Sequence, residues 1–143
     1  FDLLQGIGLL KSREDLKGKK IIAVGEGLGG LWALLASVYD PRIEGVVTMG
    51  TVPSYKLLIA AKYYSAWGYF WVPGALCDFD ISDLARLVSP KPQIWIDPLN
   101  ASGGKLTLPE FSSIMGTKEN LHNFTTVGKT NDEIWRLFST IFK

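Results

Sequence analysis

Covalent hydrolysis needs a nucleophile, a base to deprotonate it and an acid to orient the base. The stretch best suited to the first is "VGEGLGG", Val24 to Gly30, a glycine-dense turn between the apolar run Ile21-Ile22-Ala23-Val24 and a helix-like "LWALLASVYD". Gly25-Glu26-Gly27-Leu28-Gly29 keeps the frame G-x-S-x-G, where a serine stands on a strained strand-to-helix turn, but glycine occupies the serine's place. Glu26 precedes the tip and points elsewhere, and a carboxylate is a poor acyl-transfer nucleophile. The backbone N–H of Leu28 would still supply half of an oxyanion hole. Gly25, Gly27 and Gly30 also fit the G-x-G-x-x-G of a dinucleotide-binding turn, which demands an acid at the end of the next strand, about 20 residues on. That strand ends Val47-Thr48-Met49-Gly50-Thr51, and Glu44 stands at its beginning. The nucleotide reading is therefore set aside, and no cofactor is expected.

The elements that position this turn follow from periodicity. Asp2 caps a first helix with Leu3, Leu4, Ile7 and Leu10 at helical spacing, weakened by Gly6 and Gly8. A strand over 21–24 leads into a helix over 29–39, which buries Leu31, Leu34, Leu35 and Val38 and stops at Asp40-Pro41. "IEGVVTMG" is a second buried strand, 53–66 reads as helical, and "AWGYFWVPGALCDFD" is broken by glycine and proline. Asp80 caps a short helix through Leu87, and "QIWID" is the third strand. Capping boxes Thr107/Glu110, with Pro109 in the first turn, and Thr130/Glu133 open two more helices, with "NLHNFTT" as a fourth strand between them. Ile134, Leu137, Phe138 and Ile141 form the apolar stripe of the last helix. Strands alternating with helices predict the α/β class: three layers, α/β/α, around a mostly parallel sheet.

Composition narrows the function classes. The 143 residues are 47% hydrophobic and 20% charged, with a formal net charge of +1, which suits one domain with a real core. The only short basic run is "KGKK", so neither nucleic acid nor an anionic membrane surface is an expected partner. No apolar run approaches the roughly 18 residues of a membrane span, and no signal peptide is visible. Cys77 stands alone, which rules out an intrachain disulfide and leaves the redox compartment open. Glu110, Glu119, Asp132 and Glu133 read as caps or solvated charges, and no metal-ligand spacing is present.

"IIAVGEGLGGLWALLASVYDPRIEGVV" resembles the nucleophile strand, elbow and following helix of an α/β hydrolase. "VPGALCDFDISDLARLVSPKPQIWIDPLN" is similar to the downstream half of the acetylxylan-esterase-like and dipeptidyl-peptidase-like branches, where a D-x-x-D-L helix and a Pro-x-Pro precede the acid-bearing strand. The resemblance covers nearly the whole chain and implies the C-terminal half of a hydrolase fold. It places the nucleophile at Gly27 and the acid just after "QIWI", at Asp97 or, nearer the family's usual position, Asn100. A turn-capping role for Asp97 ahead of Pro98 is an equal alternative. The base belongs in the loop after the last strand, "VGKTND", which has no histidine. His122, the chain's one histidine, falls within the strand, where a lone histidine is usually a packed or surface residue; a shifted boundary would carry it toward the loop.

The expectation is a catalytically degenerate hydrolase-like segment with a structural or interaction role. The alternative is part of an active carbohydrate esterase, or another serine hydrolase, whose nucleophile lies outside this chain. Tyr63, Tyr64, Trp67, Tyr69, Phe70 and Trp71 suit stacking on sugar rings, although filling the core beneath a long connection is the favoured use. The resemblance also implies an extracytoplasmic setting, while composition fixes no compartment. Finally, a hydrolase sheet has strands before the elbow strand. Residues 1–143 are therefore expected to be one segment of a longer chain, with the edge of strand 21–24 paired or packed against the rest of that chain or another subunit.

Overall fold

A computed structural model describes residues 2–63, 65, 72–126 and 129–142. Four parallel strands, β1 (Ile21–Glu26), β2 (Ile43–Met49), β3 (Gln93–Ile96) and β4 (Leu121–Phe124), form one sheet in the order β1-β2-β3-β4. Each connection steps one strand in the same direction. Right-handed crossovers then put the connecting helices on one face.

That face carries α2 (Leu28–Tyr39), α5 (Ile81–Val88) and α6 (Leu108–Met115), whose Leu31, Leu34, Ile81, Leu84, Phe111 and Met115 pack on Val46 and Trp95. Helix α1 (Asp2–Ser12) joins the same layer by seating Ile7 against Ala36 and Ile43. Among the described helices only the last, α7 (Asn131–Ile141), crosses to the other face, where Leu137, Phe138 and Ile141 cover Val47, Ile94 and Ile96. Sheet with helices on both sides gives the three-layer α/β/α architecture. Val46, Val47, Ile94 and Trp95 are essentially inaccessible, as parallel strands sandwiched between helix layers should be.

The local signals that start helices hold in detail. Asp80 begins α5 with a capping box, its backbone N–H donating to the Asp83 carboxylate at 2.9 Å. The Thr107 and Thr130 boxes also form, with backbone N–H to carboxylate distances of 2.8 and 2.7 Å.

Several boundaries differ from the sequence expectation: β2, β3 and β4 end earlier than expected, at Met49, Ile96 and Phe124, and β4 starts at Leu121, while α2 starts one residue early, at Leu28. Strand β1 runs on to Glu26, because its ladder with β2 continues to the Glu26–Met49 pair. The helix expected over 53–66 is only α3, Tyr55–Ala60, opened by the Ser54 hydroxyl accepting from the Lys56 N–H at 3.1 Å. Propensity does not end it, since alanine and lysine follow. The chain turns extended at Ala61 (φ −84°, ψ 133°), and further on the Ser65 N–H donates to the Ala101 carbonyl at 2.8 Å. The stretch expected to be broken by glycine and proline includes a short helix, α4 (Ala75–Asp78), entered through Gly74 in the left-handed region. Of its aromatics, Trp67, Tyr69, Phe70 and Trp71, like Tyr64 before them, lie outside the described residues, whereas Tyr63 is described and exposed.

Candidate functional site

The glycine turn stands at the C-terminal end of β1, the end of a parallel sheet where open α/β folds bind ligands. Gly27 has φ 53° and ψ −116°, outside both helical basins and costly for any residue with a Cβ. Tertiary bonds hold it there. Its N–H donates to the Met49 carbonyl at 2.7 Å, and its own carbonyl accepts from the Gly30 N–H at 3.1 Å and the Thr51 hydroxyl at 3.0 Å. Thr51 is fully buried, so the tip of the turn is tied to the strand next to it.

The glycines of the turn serve different ends. A Cβ on Gly25 would lie 2.0 Å from the Gly29 carbonyl oxygen, and one on Gly30 would lie 2.0 Å from the Thr51 hydroxyl. Those two are bare so that α2 can approach β1 and β2. A Cβ on Gly27 would meet nothing within 4 Å, and the same holds for Gly29. At position 27 there is thus room for a side chain over the strand ends, on a backbone shaped like a nucleophile elbow, and the side chain is missing. Glu26 is exposed beside it. Leu28 opens α2, so its N–H is among the donors a helix leaves without an intrahelical acceptor.

Asp97 follows the last residue of β3 and is the one non-glycine with positive φ, 47°, among the described residues. This explains why "QIWID" ends as a strand at Ile96. The Asp97 N–H donates to the Phe124 carbonyl at 2.9 Å, which turns the carboxylate toward the segment after β4. There it accepts from the Thr126 hydroxyl, from the Thr126 N–H at 3.1 Å and from the Lys105 ammonium at 3.0 Å. Burial works to raise this carboxyl's pKa. Hydrogen bonds from Thr126, Lys105 and Thr125 outweigh it and hold the group below the usual carboxylate range.

Asn100 is engaged differently. Its Oδ1 accepts from the Ser102 N–H, the Ser102 hydroxyl and the Gly104 N–H at 3.0, 2.8 and 2.9 Å, closing the turn 100–104 on itself. Of the two candidate acids, Asp97 is the one in contact with the segment after β4.

His122 is not brought to this end. It is the second residue of β4, and a register row runs Val24–Val47–Ile94–His122 across the sheet. Gly27 is three residues beyond Val24, so the two are separated by about 14 Å of sheet width and about 10 Å along the strands. His122 instead lines a depression of about 440 Å³ at the N-terminal strand ends, with Lys20, Glu44, Glu119 and Phe142. In the loop after β4, Val127 and Gly128 lie outside the described residues, and the others carry no imidazole. Among the described residues no three His, Cys, Asp or Glu side chains group as a metal site would require.

Sequence reasoning missed Lys105 and Thr126. No local pattern marks them, because they meet Asp97 across 8 and 29 positions of chain.

No family model matches the chain. It is 27% identical over 95 residues to YtaP of Bacillus subtilis (strain 168), provisionally named a hydrolase; the match takes in 66% of this chain and 32% of that protein. The chain thus spans about a third of this curated relative's length. Among solved structures it is similar to the esterase domain of a Rhodothermus marinus protein, with a TM-score of 0.54 and 14% identity over 87% of this chain and 55% of that one. Parallel sheet, strand–glycine turn–helix and this likeness agree: the chain has an α/β-hydrolase-like fold.

Proposed function

We propose that this chain is a catalytically degenerate α/β-hydrolase-like segment of the acetylxylan-esterase-like type, with a structural or interaction role within a longer protein or assembly. The observation that carries the reading is Gly27: the elbow backbone is kept, the space above it is open, and no nucleophile fills it. Two further facts support it. Asp97, the candidate acid in contact with the segment after β4, has its carboxylate bonded to Thr126 and Lys105 and to no imidazole among the described residues. The chain's one histidine lies three strands away at the opposite end of the sheet.

An oxyanion hole and an ordered acid cannot cleave an ester without a nucleophile–base pair. Glycine at the tip also relieves the strain a serine would impose, so a turn released from catalysis gains stability by the exchange. A fluorophosphonate probe, which phosphonylates activated serines, tests this on the folded chain. The expected result is no more label than on the heat-denatured chain. Stoichiometric labelling of one serine in the folded chain would contradict the proposal.

A further inference from the structure

The excursion over 98–106 is a closed unit on a narrow neck. The Leu106 N–H donates to the Pro98 carbonyl at 2.7 Å, and Leu99 and Lys105 pair as an antiparallel bridge. Beyond the bridge the Asn100 N–H donates to the Gly104 carbonyl at 2.8 Å, inside the turn that Asn100 Oδ1 already closes. A surface loop with adjoining ends and its own bonds can swing as one body.

Few contacts join this unit to the sheet. The Leu99 N–H reaches the Thr51 carbonyl at 3.3 Å, a long bond, and the Ala101 carbonyl accepts from the Ser65 N–H at 2.8 Å. Ala101 is buried in the core and Leu99 packs at its margin, its Cδ1 3.9 Å from where a Cβ on Gly50 would stand. The excursion therefore lies over the end of β2, which the sheet order places between the elbow tip and Asp97. Among the described residues one link carries charge: the Lys105 ammonium, 3.0 Å from the Asp97 carboxylate and 3.5 Å from the Thr126 hydroxyl.

Asp97, at the root of the neck, holds φ 47°, a strained value for a residue with a Cβ. Swinging the unit outward lets Asp97 relax toward extended backbone, the conformation favoured before a proline. Strain thus works to open the excursion, and the ion pair works to hold it shut. We infer that 98–106 is a lid over the C-terminal end of β2, with Asp97 as its hinge and the Lys105–Asp97 ion pair as its catch. Releasing the catch lifts Leu99 and Ala101 and bares an apolar seat beside the open space at Gly27. Thr51 couples lid and elbow, since its carbonyl holds Leu99 while its hydroxyl holds the Gly27 carbonyl at 3.0 Å.

The lid deepens the interaction role proposed above; because its test reads amide exchange and not ester turnover, either can fail without the other. Hydrogen exchange followed by NMR on the full chain tests it through Lys105→Met, which keeps an apolar stem and removes the charge. A lid that swings as one body frees the amides that fasten it, Leu99 and Ser65, and spares those inside it, Asn100 and Leu106. Lys105→Met should accelerate Leu99 and Ser65 together by about fivefold, the loss of one partly exposed ion pair, and leave Asn100 and Leu106 unchanged. Low denaturant should leave the Leu99 rate unaffected, because a local opening exposes little surface. Unchanged Leu99 and Ser65, acceleration of only one of them, acceleration of all four amides, or a Leu99 rate that climbs with denaturant would each overturn the inference.

Discussion

At the scale of single residues, the glycines of the turn divide by what a side chain would meet. Gly25→Ala forces a Cβ to within 2.0 Å of backbone at Gly29, which cannot yield without moving α2 off β1. Gly27→Ala meets open space and bears only the cost of its φ of 53°, about 1–3 kcal/mol. Denaturant melts should therefore rank Gly25→Ala well below Gly27→Ala; equal losses would mean that strain, not contact, governs both. The motif announced these positions in the sequence but not this division, because G-x-x-x-G says nothing about which neighbour each glycine faces.

Asp97 supports a second prediction. Its folded pKa is lowered, so its contribution to stability is present above the unfolded carboxyl value of about 3.9 and is lost as pH falls through the lower folded value. Asp40 acts in the same sense, through hydrogen bonds from the Arg42 guanidinium at 2.6–3.1 Å that outweigh its burial. Stability should decline as acid is added below about pH 5. Asp97→Asn should lower stability at neutral pH and flatten part of that decline, as followed by thermal melts across pH. An unchanged slope would show that the Lys105 and Thr126 contacts contribute little.

At the scale of elements, what the sequence made legible was whatever is local. Helix starts at Asp80, Thr107 and Thr130 are written within four residues each, and the period of apolar positions shows strands and helices directly. The end of α3 is not written there, since it depends on a chain path that closes between Ser65 and Ala101. Asp80 shows the same limit from the other side. Its capping role is local, yet its buried carboxylate also accepts from the Ser54 hydroxyl at 2.5 Å and the Tyr55 N–H at 2.6 Å, fastening α3 to α5. Asp80→Ala should thus cost about 3 kcal/mol, because buried donors on α3 lose their acceptor as well as α5 its cap. Thr130→Ala, at an exposed box, should cost about 1 kcal/mol. Chemical denaturation of the two variants checks the difference, and comparable losses would mean the α3–α5 link is weak.

At the scale of the whole molecule, topology decides what the site can do. A parallel sheet gathers Gly27, Thr51, Asp97 and Thr126 at the C-terminal ends of its four strands, where hydrolase chemistry would stand. It consigns His122 to the other end, because a histidine one residue into β4 cannot reach the far side of the same strand. The fold was legible from alternation of elements. The glycine at position 27 and the lack of a histidine in the loop after β4 were legible in the sequence, while the engagement of Asp97 with Lys105 was not, since the excursion over 98–106 that delivers the lysine has no sequence period.

Initial rates of p-nitrophenyl acetate hydrolysis measure whether the elbow is inert, as we propose. The native chain should match its heat-denatured control, and Gly27→Ser should match both, because a restored hydroxyl still finds no imidazole. Saturable turnover by the native chain, or by Gly27→Ser, that disappears when Asp97 or His122 is replaced by alanine would contradict it.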